Sequence, residues 1–363
     1  MELDIAEEDA LKNVAEEKSK ESVENGAKFT RRRETNTITT EKLNSNGSVT
    51  LAGQDTWAGH SKSRVHWQVL RGDSEKVLAN LAANRFHCAI TSPPYYCQRD
   101  YKVVGQIGLE PSINEYVSRI ANAMDQVKRV LHPEGVLFLN LGDTYYSAKG
   151  EPKGVDRKNS ARRFGLRPVD ASGLGVPRKT AIGIPWRVAL EMMSRGWTLR
   201  SPIIWHRDAP QPEPTAHDRP WRTYEMLFMF SKQPRYYFRR DQLKGCEDVW
   251  TISARPRNGR GLHYAAFPDE LAVKCLEVGC PPGGEVLDPF AGSGTVLKVG
   301  VERGHPATGI DLIDGKIHDS SRLKFSKNFR HVFAKRVAQV NSCRRMAPFD
   351  ANFQDRSAAR ERV

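Results

Sequence analysis

VLDPFAGSGTV at residues 286–296 reads as a buried strand, a turn of small residues and the start of a helix. Gly292 and Gly294 let the backbone come close to a ligand and present N–H groups at the helix start. The turn is neither a triphosphate-binding loop, since no Lys follows Gly294, nor a G-x-G-x-x-G loop. An acid at the strand end, Asp288, suits a ligand with a positively charged amine. The alternative is an ordinary β–α turn with an unrelated capping acid.

Strands and helices alternate along the chain before and after this turn. Apolar runs predict strands at 65–70, 86–90, 136–141, 200–206, 224–231 and 285–287. Helical spacing of apolar residues predicts helices at 74–83, 112–131, 185–195 and 268–278. A further strand ends at Asp311, where a carboxylate is placed to hold ribose hydroxyls. The alternation predicts an α/β layer fold with a mainly parallel sheet.

A second turn, Thr91-Ser92-Pro93-Pro94-Tyr95, directly follows a predicted strand. Sheets of this kind place their chemistry at the carboxyl ends of the strands. Two consecutive prolines stiffen the loop and remove two N–H donors, which leaves carbonyl acceptors. The Ser92 hydroxyl, the Pro93 carbonyl and the Tyr95 ring are therefore suited to hold a planar base by its exocyclic amine. The alternative is a proline turn that ends a strand, with Tyr95 packed in the core.

The charge of the chain indicates its partner. The 363 residues carry a formal net charge of +13, with −4 in residues 1–60 and +17 in the remainder. Two stretches are strongly basic: residues 147–180 hold nine Lys and Arg against three acids, and residues 322–363 hold eleven against three. Such clusters are typical of nucleic-acid-binding proteins. A merely solvated basic surface is the alternative.

Several other classes of protein are excluded by composition. No run of about 18 apolar residues is present, so a membrane span is not expected. The acidic N-terminal stretch lacks the apolar core of a signal peptide. The six cysteines form no C-x-x-C pair and no zinc-type spacing, so neither a disulfide framework nor a metal site is expected. The chain is expected in a reducing compartment inside the cell.

The two turns together resemble those of the class β amino-methyltransferases of DNA, which use S-adenosylmethionine. Further marks of that family are Gly72-Asp73, Gln106–Glu110, Leu139–Asp143, Ile203–Trp205 and His263–Pro268. The resemblance runs from about Trp67 to Asp311, roughly two thirds of the chain. It implies a Rossmann-like methyltransferase fold: a mostly parallel twisted sheet with helices on both faces, a circularly permuted motif order and small target-recognition insertions. The chain departs from the family at residues 312–315 and in its N-terminal extension.

The resemblance also implies roles for residues. Ser92 and the Pro93 carbonyl would accept hydrogen bonds from the amine of a base that has left the duplex, and Tyr95 would stack on that base. Asp143 is interpreted as a structural cap, with receipt of the leaving proton as the alternative. Asp73 would lie near the adenine, although Gly72-Asp73 also forms an ordinary strand-end turn. The catalytic turn is Ser92, Pro93, Pro94 and Tyr95; the implied cofactor residues are Asp73, Phe267, Pro268, Asp288, Pro289, Phe290, Ala291, Gly292, Ser293, Gly294, Thr295 and Asp311.

The chain is predicted to divide into a polar, disordered extension at 1–60, a catalytic domain at 61–320 and a basic tail at 321–363. Inside the catalytic domain, a basic loop at 147–180 and a target-recognition segment at 241–262 are expected to contact DNA. Phosphate contacts position such a protein, and a few arginines read base edges. The candidate DNA-binding residues are Arg157, Lys158, Arg162, Arg163, Arg255, Arg257 and Arg260.

The target amine is predicted to be N4 of cytosine. The Thr-Ser-Pro-Pro-Tyr turn resembles that of cytosine-N4 enzymes, whereas adenine-N6 enzymes mostly carry an acid or Asn in place of Ser92. Three alternatives stay open: an adenine-N6 methyltransferase of DNA, a methyltransferase of RNA or protein, and a catalytically inactive DNA-binding regulator. The sequence predicts no oligomeric state.

Overall fold

A computed structural model describes residues 56–61, 63–98, 101, 103–146, 177–208, 213, 216–243, 245, 247–253 and 268–312. In this part of the chain nine strands form one sheet, with five α-helices packed on it. The strands are β1 Thr56–His60, β2 His66–Arg71, β3 Phe86–Thr91, β4 Leu131–Leu141, β5 Thr198–His206, β6 Tyr224–Ser231, β7 Val249–Thr251, β8 Val286–Asp288 and β9 Ala307–Asp311. The helices are α1 Ser74–Ala79, α2 Ile113–Val130, α3 Ile184–Ser194, α4 Asp269–Gly279 and α5 Thr295–Glu302.

The strand order in the sheet is β1-β2-β9-β8-β3-β4-β6-β5-β7. The five strands from β2 to β4 are parallel to their neighbours. Strand β6 runs antiparallel between β4 and β5, and β1 runs antiparallel to β2. Strand β8 comes late in the chain but pairs with the early strand β3, with Cys88 opposite Val286. This is the predicted mostly parallel sheet with a permuted order of its motifs.

The helices cover both faces of the sheet, and the strands supply apolar side chains to each face in turn. In β4, Leu137 and Leu139 belong to one core with α1, α2 and α3, whereas Val136 and Phe138 belong to the other with α4 and α5. All four side chains are fully buried. Alternate strand residues point to opposite faces, so a strand covered on both sides is apolar throughout. Burial of each such side chain contributes about 1.5–3 kcal/mol.

Helix α2 shows why the predicted elements form where they do. Ser112 begins it, because its hydroxyl accepts a hydrogen bond from Glu115 N at 3.2 Å. Residues at helical spacing, among them Tyr116, Ile120 and Met124, are fully buried against the sheet. The helix ends at Val130 and β4 begins at the next residue. The spacing of apolar residues predicted this helix to within one residue at each end.

Three local expectations differ from the structure. Thr56–His60 pair with β2, so the sheet includes five residues that the sequence assigned to the polar extension. Val249–Thr251 form β7 inside the segment 241–262, which looked irregular. Helix α1 ends at Ala79 rather than at residue 83, since the Asn80 N–H turns back onto the carbonyls of Val77 and Leu78. Residues 1–55 and 313–363 lie outside the described residues, so the proposed extension and tail remain predictions.

Candidate active site

Strands β8 and β3 lie side by side at the centre of the sheet. Helix α5 carries the chain from β8 to β9 over one face, whereas α2 carries it from β3 to β4 over the other. Adjacent parallel strands whose connections diverge in this way leave a crevice beyond their carboxyl ends. Asp288 ends β8 and Thr91 ends β3. The fold therefore brings together two turns that lie almost 200 residues apart in sequence.

The Gly-rich turn, residues 288–295, lies directly on strand β9. Ala291 N donates to Ile310 O at 2.9 Å, and Gly294 N donates to Ala291 O at 2.7 Å. Gly292 and Gly294 have φ angles of 48° and 74°, in the left-handed region that favours glycine. A Cβ added to Gly309 would lie 2.8 Å from the Cβ of Ala291. Glycine at 309 thus allows the close approach of turn and sheet.

Other predicted cofactor residues of this region have structural contacts of their own. The Pro289 carbonyl accepts a hydrogen bond from the hydroxyl of Ser74, the first residue of α1. The buried hydroxyls of Ser293 and Thr295 lie 3.3 Å apart. Pro268 is the N-cap of α4, and the neighbouring Phe267 lies outside the described residues.

Asp288 is a buried acid, with 2% of its surface exposed. Its Oδ1 accepts hydrogen bonds from the Thr91 hydroxyl at 2.7 Å and from Phe290 N at 3.1 Å. Burial raises the pKa of this carboxyl to about 7, against the lowering effect of these two donors, and the nearby Asp311 carboxylate adds to the rise. A cationic group beside Asp288 would restore its charge. The chemistry of the site therefore fits a ligand with an amine.

Asp73 and Asp311 follow neighbouring strands at the same edge of the sheet. Gly72 N donates to the Asp311 carbonyl at 2.9 Å, which joins the two strand ends. The Asp73 side chain accepts from Lys76 N at 3.2 Å and caps α1. The strand-end turn predicted for Gly72-Asp73 is thus present, and contact of either carboxylate with a cofactor stays a prediction.

The Ser-Pro-Pro-Tyr turn, residues 92–95, is fixed from both sides. The Pro94 carbonyl accepts from the Tyr116 hydroxyl of α2 at 2.9 Å. Cys97 N donates to Gly108 O at 2.7 Å, and a Cβ at Gly108 would lie 3.0 Å from the Tyr95 carbonyl. Gly108 belongs to the Gln106–Glu110 motif. That motif therefore supports the Ser-Pro-Pro-Tyr turn by close packing.

Tyr95 has more partners than its predicted stacking role requires. Its hydroxyl lies 2.7 Å from Glu225 Oε2, 3.0 Å from Asn140 Oδ1 and 3.3 Å from Ser92 Oγ. A Cβ added at Gly142 would lie 2.5 Å from Tyr95 Cε2, so the ring packs closely on that glycine. A packed tyrosine also pairs its hydroxyl, so the stacking role of Tyr95 stays a prediction, with a core residue as the alternative.

Asp143 is a helix cap, as interpreted from the sequence. Its carboxylate accepts from the backbone N–H groups of Gly183 and Ile184 at 3.0 Å, and from Thr144 N at 2.8 Å. These donors include the N-terminus of α3, where an acid is favourable. The hydrogen bonds described for the Asp143 carboxylate thus all come from backbone N–H groups.

Sequence reasoning missed Glu225 and Asn140 as members of the site. Glu225 lies in β6 opposite the end of β4, and Asn140 is a buried polar residue of β4. A polar residue inside an apolar strand was the one available signal, in Leu139-Asn140-Leu141. No local pattern in Tyr224-Glu225-Met226 indicates that β6 lies antiparallel between β4 and β5.

The predicted DNA-binding residues Arg157, Lys158, Arg162, Arg163, Arg255, Arg257 and Arg260 lie outside the described residues. A different aromatic and basic group is present beside the start of β6. Trp221 and Tyr224 are about half exposed, and Arg219 and Arg222 lie 3.9 and 5.5 Å from the ring centroid of Tyr145. Such a group suits contact with nucleic acid. The sequence had indicated only a Pro-rich loop there.

Residues 86–321 match the model of the N6_N4_Mtase family, described as DNA methylase. The chain belongs to this DNA methylase family. The methylase is 38% identical over 253 residues to the type II methyltransferase M.Cfr9I of Citrobacter freundii. That alignment covers 67% of this chain and 83% of M.Cfr9I. It is likewise 38% identical over 256 residues to the type II methyltransferase M.SmaI of Serratia marcescens, and that alignment covers 68% of this chain and 86% of M.SmaI.

Solved structures show the same fold as the methylase. PvuII DNA methyltransferase (cytosine-N4-specific) superposes with a TM-score of 0.54 at 18% identity, over 75% of this chain and 93% of that one. A putative DNA modification methylase of Thermus thermophilus, complexed with S-adenosylmethionine, gives a TM-score of 0.50 at 21% identity. The superposition covers 74% of this chain and 92% of that one. The Rossmann-like methyltransferase fold is therefore confirmed.

Family membership establishes the coarse activity. The methylase is an S-adenosylmethionine-dependent amino-methyltransferase of DNA, as predicted. The alternatives of an RNA or protein methyltransferase and of an inactive regulator are thereby disfavoured. In the described part of the chain, no helix is long and apolar enough to cross a bilayer. Among the same residues, His, Cys, Asp and Glu form no group of three or more that could hold a metal ion.

Proposed function

We propose that this methylase transfers the methyl group of S-adenosylmethionine to N4 of cytosine in DNA, in the compartment that holds the DNA. The observation that carries the proposal is the position of Ser92. Its hydroxyl stands at the carboxyl end of β3, next to the Gly-rich turn on β8 and within a fixed network of polar groups. The turn resembles that of cytosine-N4 enzymes, where adenine-N6 enzymes mostly carry an acid or Asn.

The proposed chemistry needs the base to leave the duplex, since pairing sequesters its amine. The lone pair of that amine is delocalised into the ring, which makes it a poor nucleophile. Hydrogen bonds from the amine to Ser92 Oγ and to the Pro93 carbonyl favour a more tetrahedral nitrogen. S-adenosylmethionine held by the Gly-rich turn would supply its methyl group to the nitrogen lone pair and would leave as a neutral thioether, and the nitrogen would lose its proton to water.

The residues that would hold the cofactor lie on three neighbouring strands. Asp288 would pair with the amine of the methionine moiety, because it is the buried acid of the Gly-rich turn. Asp311, at the end of β9, would hold the ribose hydroxyls. Asp73, at the end of β2, would lie near the adenine. When bound, the cofactor supplies an electrophilic methyl group at the mouth of the Ser-Pro-Pro-Tyr turn.

Mass spectrometry of nucleosides tests the target base. Purified methylase and S-adenosylmethionine are incubated with long, unmethylated, amplified DNA, which is then digested to nucleosides. N4-methylcytosine is the expected product. Appearance of N6-methyladenine alone would show that the target is adenine, and transfer of labelled methyl groups only to RNA or protein would remove DNA as the substrate.

Replacement of Ser92 by alanine should lower kcat by about 10- to 50-fold, the equivalent of one hydrogen bond to a polar group. The affinity for S-adenosylmethionine should stay within about twofold of wild type, because Ser92 is outside the Gly-rich turn. Steady-state kinetics and calorimetry measure the two quantities. Ser194→Ala, on the exposed end of α3, is the matched control. An S92A protein with full kcat and weakened cofactor binding would contradict the division of roles.

The basic loop at 147–180 is proposed to contact phosphates. Replacing Arg162 and Arg163 by alanine should reduce the slope of log affinity against log salt by up to about 2, since each phosphate contact contributes about 0.9. Arg235→Ala with Arg240→Ala makes the same charge change on exposed side chains elsewhere. Fluorescence anisotropy with labelled DNA at several salt concentrations gives the slopes. Equal slopes for both double variants would remove the loop from the interface.

A further inference from the structure

The Tyr95 hydroxyl joins side chains from three separate elements. Ser92 lies in the turn after β3, Asn140 lies in β4 and Glu225 lies in β6. Their oxygen atoms lie 3.3, 3.0 and 2.7 Å from Tyr95 Oη, respectively. A phenol has a single proton to donate, so the direction of these hydrogen bonds can be worked out by counting donors.

Two of the three atoms that face the Tyr95 hydroxyl, Asn140 Oδ1 and Glu225 Oε2, can only accept a hydrogen bond. Asn140 Nδ2 donates to the Met226 carbonyl at 3.2 Å, which turns Asn140 Oδ1 towards Tyr95. Glu225 Oε2 is closer, and a carboxylate is the stronger acceptor. The Tyr95 proton is therefore donated to Glu225. The lone pairs of Tyr95 Oη then remain for Ser92, whose own proton points at the tyrosine.

The other carboxylate oxygen of Glu225 forms an ion pair with Arg207. Arg207 Nη1 lies 3.5 Å from Glu225 Oε1, and Arg207 Nη2 donates to the Arg222 carbonyl at 2.9 Å. The Arg207 and Glu225 side chains are both about one-fifth exposed. The ion pair leaves Oε2 for the tyrosine. Burial and the nearby Glu225 hold the pKa of Tyr95 well above its usual value, so the phenol keeps its proton.

We propose that Glu225 is a positioning residue that acts through Tyr95 to make the Ser92 hydroxyl a hydrogen-bond acceptor for the target amine. A free serine hydroxyl rotates and can present its proton to the amine, which would oppose attack by the nitrogen. With that proton held by Tyr95, the lone pairs of Ser92 Oγ are left for an N–H donor. The inference rests on the proposed function, in which Ser92 faces the amine, and it also gives Tyr95 a role other than stacking.

A double-mutant cycle tests the proposal with the full-length methylase. Tyr95→Phe keeps an aromatic ring but removes the hydroxyl, and Glu225→Ala removes the acceptor. Each should lower kcat about tenfold at saturating DNA and S-adenosylmethionine. The double variant should be no slower than either single variant, because both break the same chain of bonds. Glu225→Gln retains an acceptor oxygen and should lose less than Glu225→Ala.

Controls separate positioning from stability. Glu134→Ala removes a half-exposed carboxylate from the opposite end of β4 and should leave kcat unchanged. Calorimetric affinity for S-adenosylmethionine should stay near wild type in all variants. Should the Ala variant fail to fold, the cycle of Glu225→Gln with Tyr95→Phe should show a weaker coupling of the same sign, and its absence would contradict the inference.

Three results would overturn the inference: wild-type kcat in Tyr95→Phe, additive losses in the double variant, or a lowered Tm with unchanged kcat in Glu225→Ala. The first of these would leave stacking as the role of Tyr95. Failure of the proposed function looks different, since Ser92→Ala would then keep full kcat or the product would not be N4-methylcytosine. An impaired Ser92→Ala beside an unimpaired Tyr95→Phe would reject the inference alone.

Discussion

Asp288→Asn is expected to remove cofactor binding while making the ligand-free methylase more stable at pH 8. The carboxyl group is buried, and its pKa is raised to about 7. Its charge therefore destabilises the folded state above that pH, by an amount on the order of 4 kcal/mol. Asparagine keeps an acceptor oxygen for Thr91 and Phe290 without the charge. Affinity for S-adenosylmethionine should fall about 100-fold or more, since the ligand amine loses its carboxylate partner.

The dependence on pH has a definite sign. A carboxyl whose pKa is higher in the folded than in the unfolded chain binds more protons when folded, so stability falls as pH rises from about 4 to about 7. The wild type should show this loss from Asp288, and Asp288→Asn should lack it. The same titration should weaken binding of S-adenosylmethionine by the wild type below pH 7.

Thermal unfolding and calorimetry at pH 5 and pH 8 check both expectations. Tm of the ligand-free variant should exceed wild type by about 5 °C at pH 8. Asp248→Asn, which removes one exposed acid, is the matched control and should change neither Tm nor cofactor affinity. A Tm of Asp288→Asn below that of wild type at pH 8 would show that the charge of Asp288 does not destabilise the fold. Cofactor affinity equal to wild type would show that Asp288 does not bind the cofactor.

Gly142→Ala should reduce kcat about 100-fold, because it displaces the ring of Tyr95. The added Cβ would lie 2.5 Å from Cε2 and 3.0 Å from Cδ2 of that ring. The ring cannot simply rotate away, since its hydroxyl donates to Glu225 and accepts from Ser92. Misplacement of a catalytic turn by about 1 Å can cost 100-fold in rate. The loss of stability should be modest, about 1–3 kcal/mol.

Kinetics, cofactor calorimetry and thermal unfolding separate these effects. Gly300→Ala in α5 is the control, since its nearest neighbour would be 3.4 Å from the new Cβ. Cofactor affinity should stay within about threefold of wild type in Gly142→Ala, because Gly142 touches the tyrosine rather than the Gly-rich turn. An unchanged kcat would mean that the position of Tyr95 does not limit the reaction.

The fold was largely predictable because its central strands are buried on both faces. Runs such as Val136–Leu141 and 86–90 are apolar at nearly every position, and Asp288–Thr295 identified the strand-turn-helix unit. The edge strands were harder. Thr56–His60 and Val249–Thr251 are only five and three residues long, and each forms by pairing with a neighbouring strand rather than by a pattern of its own.

The candidate site was predictable where a motif is local and not where partners are distant. Ser92 and Asp288 lie in short motifs, so the sequence locates them. Glu225 reaches Tyr95 only because β6 runs antiparallel beside β4, 130 residues further along the chain. No spacing within Tyr224–Ser231 contains that information, so Tyr95 was assigned stacking alone.

The hydrogen bond from Thr91 to Asp288 has a consequence for the newly made chain on the ribosome. Until Val286–Asp288 are synthesised, β3 lacks one of its two neighbouring strands, and the Ser-Pro-Pro-Tyr turn lacks the buried acid beside it. The earlier elements can pair among themselves as they emerge, because β3, β4, β6 and β5 are adjacent. The nascent protein can thus pair the strands around the Ser-Pro-Pro-Tyr turn first, whereas the contact of that turn with Asp288 forms only after the Gly-rich turn has been synthesised.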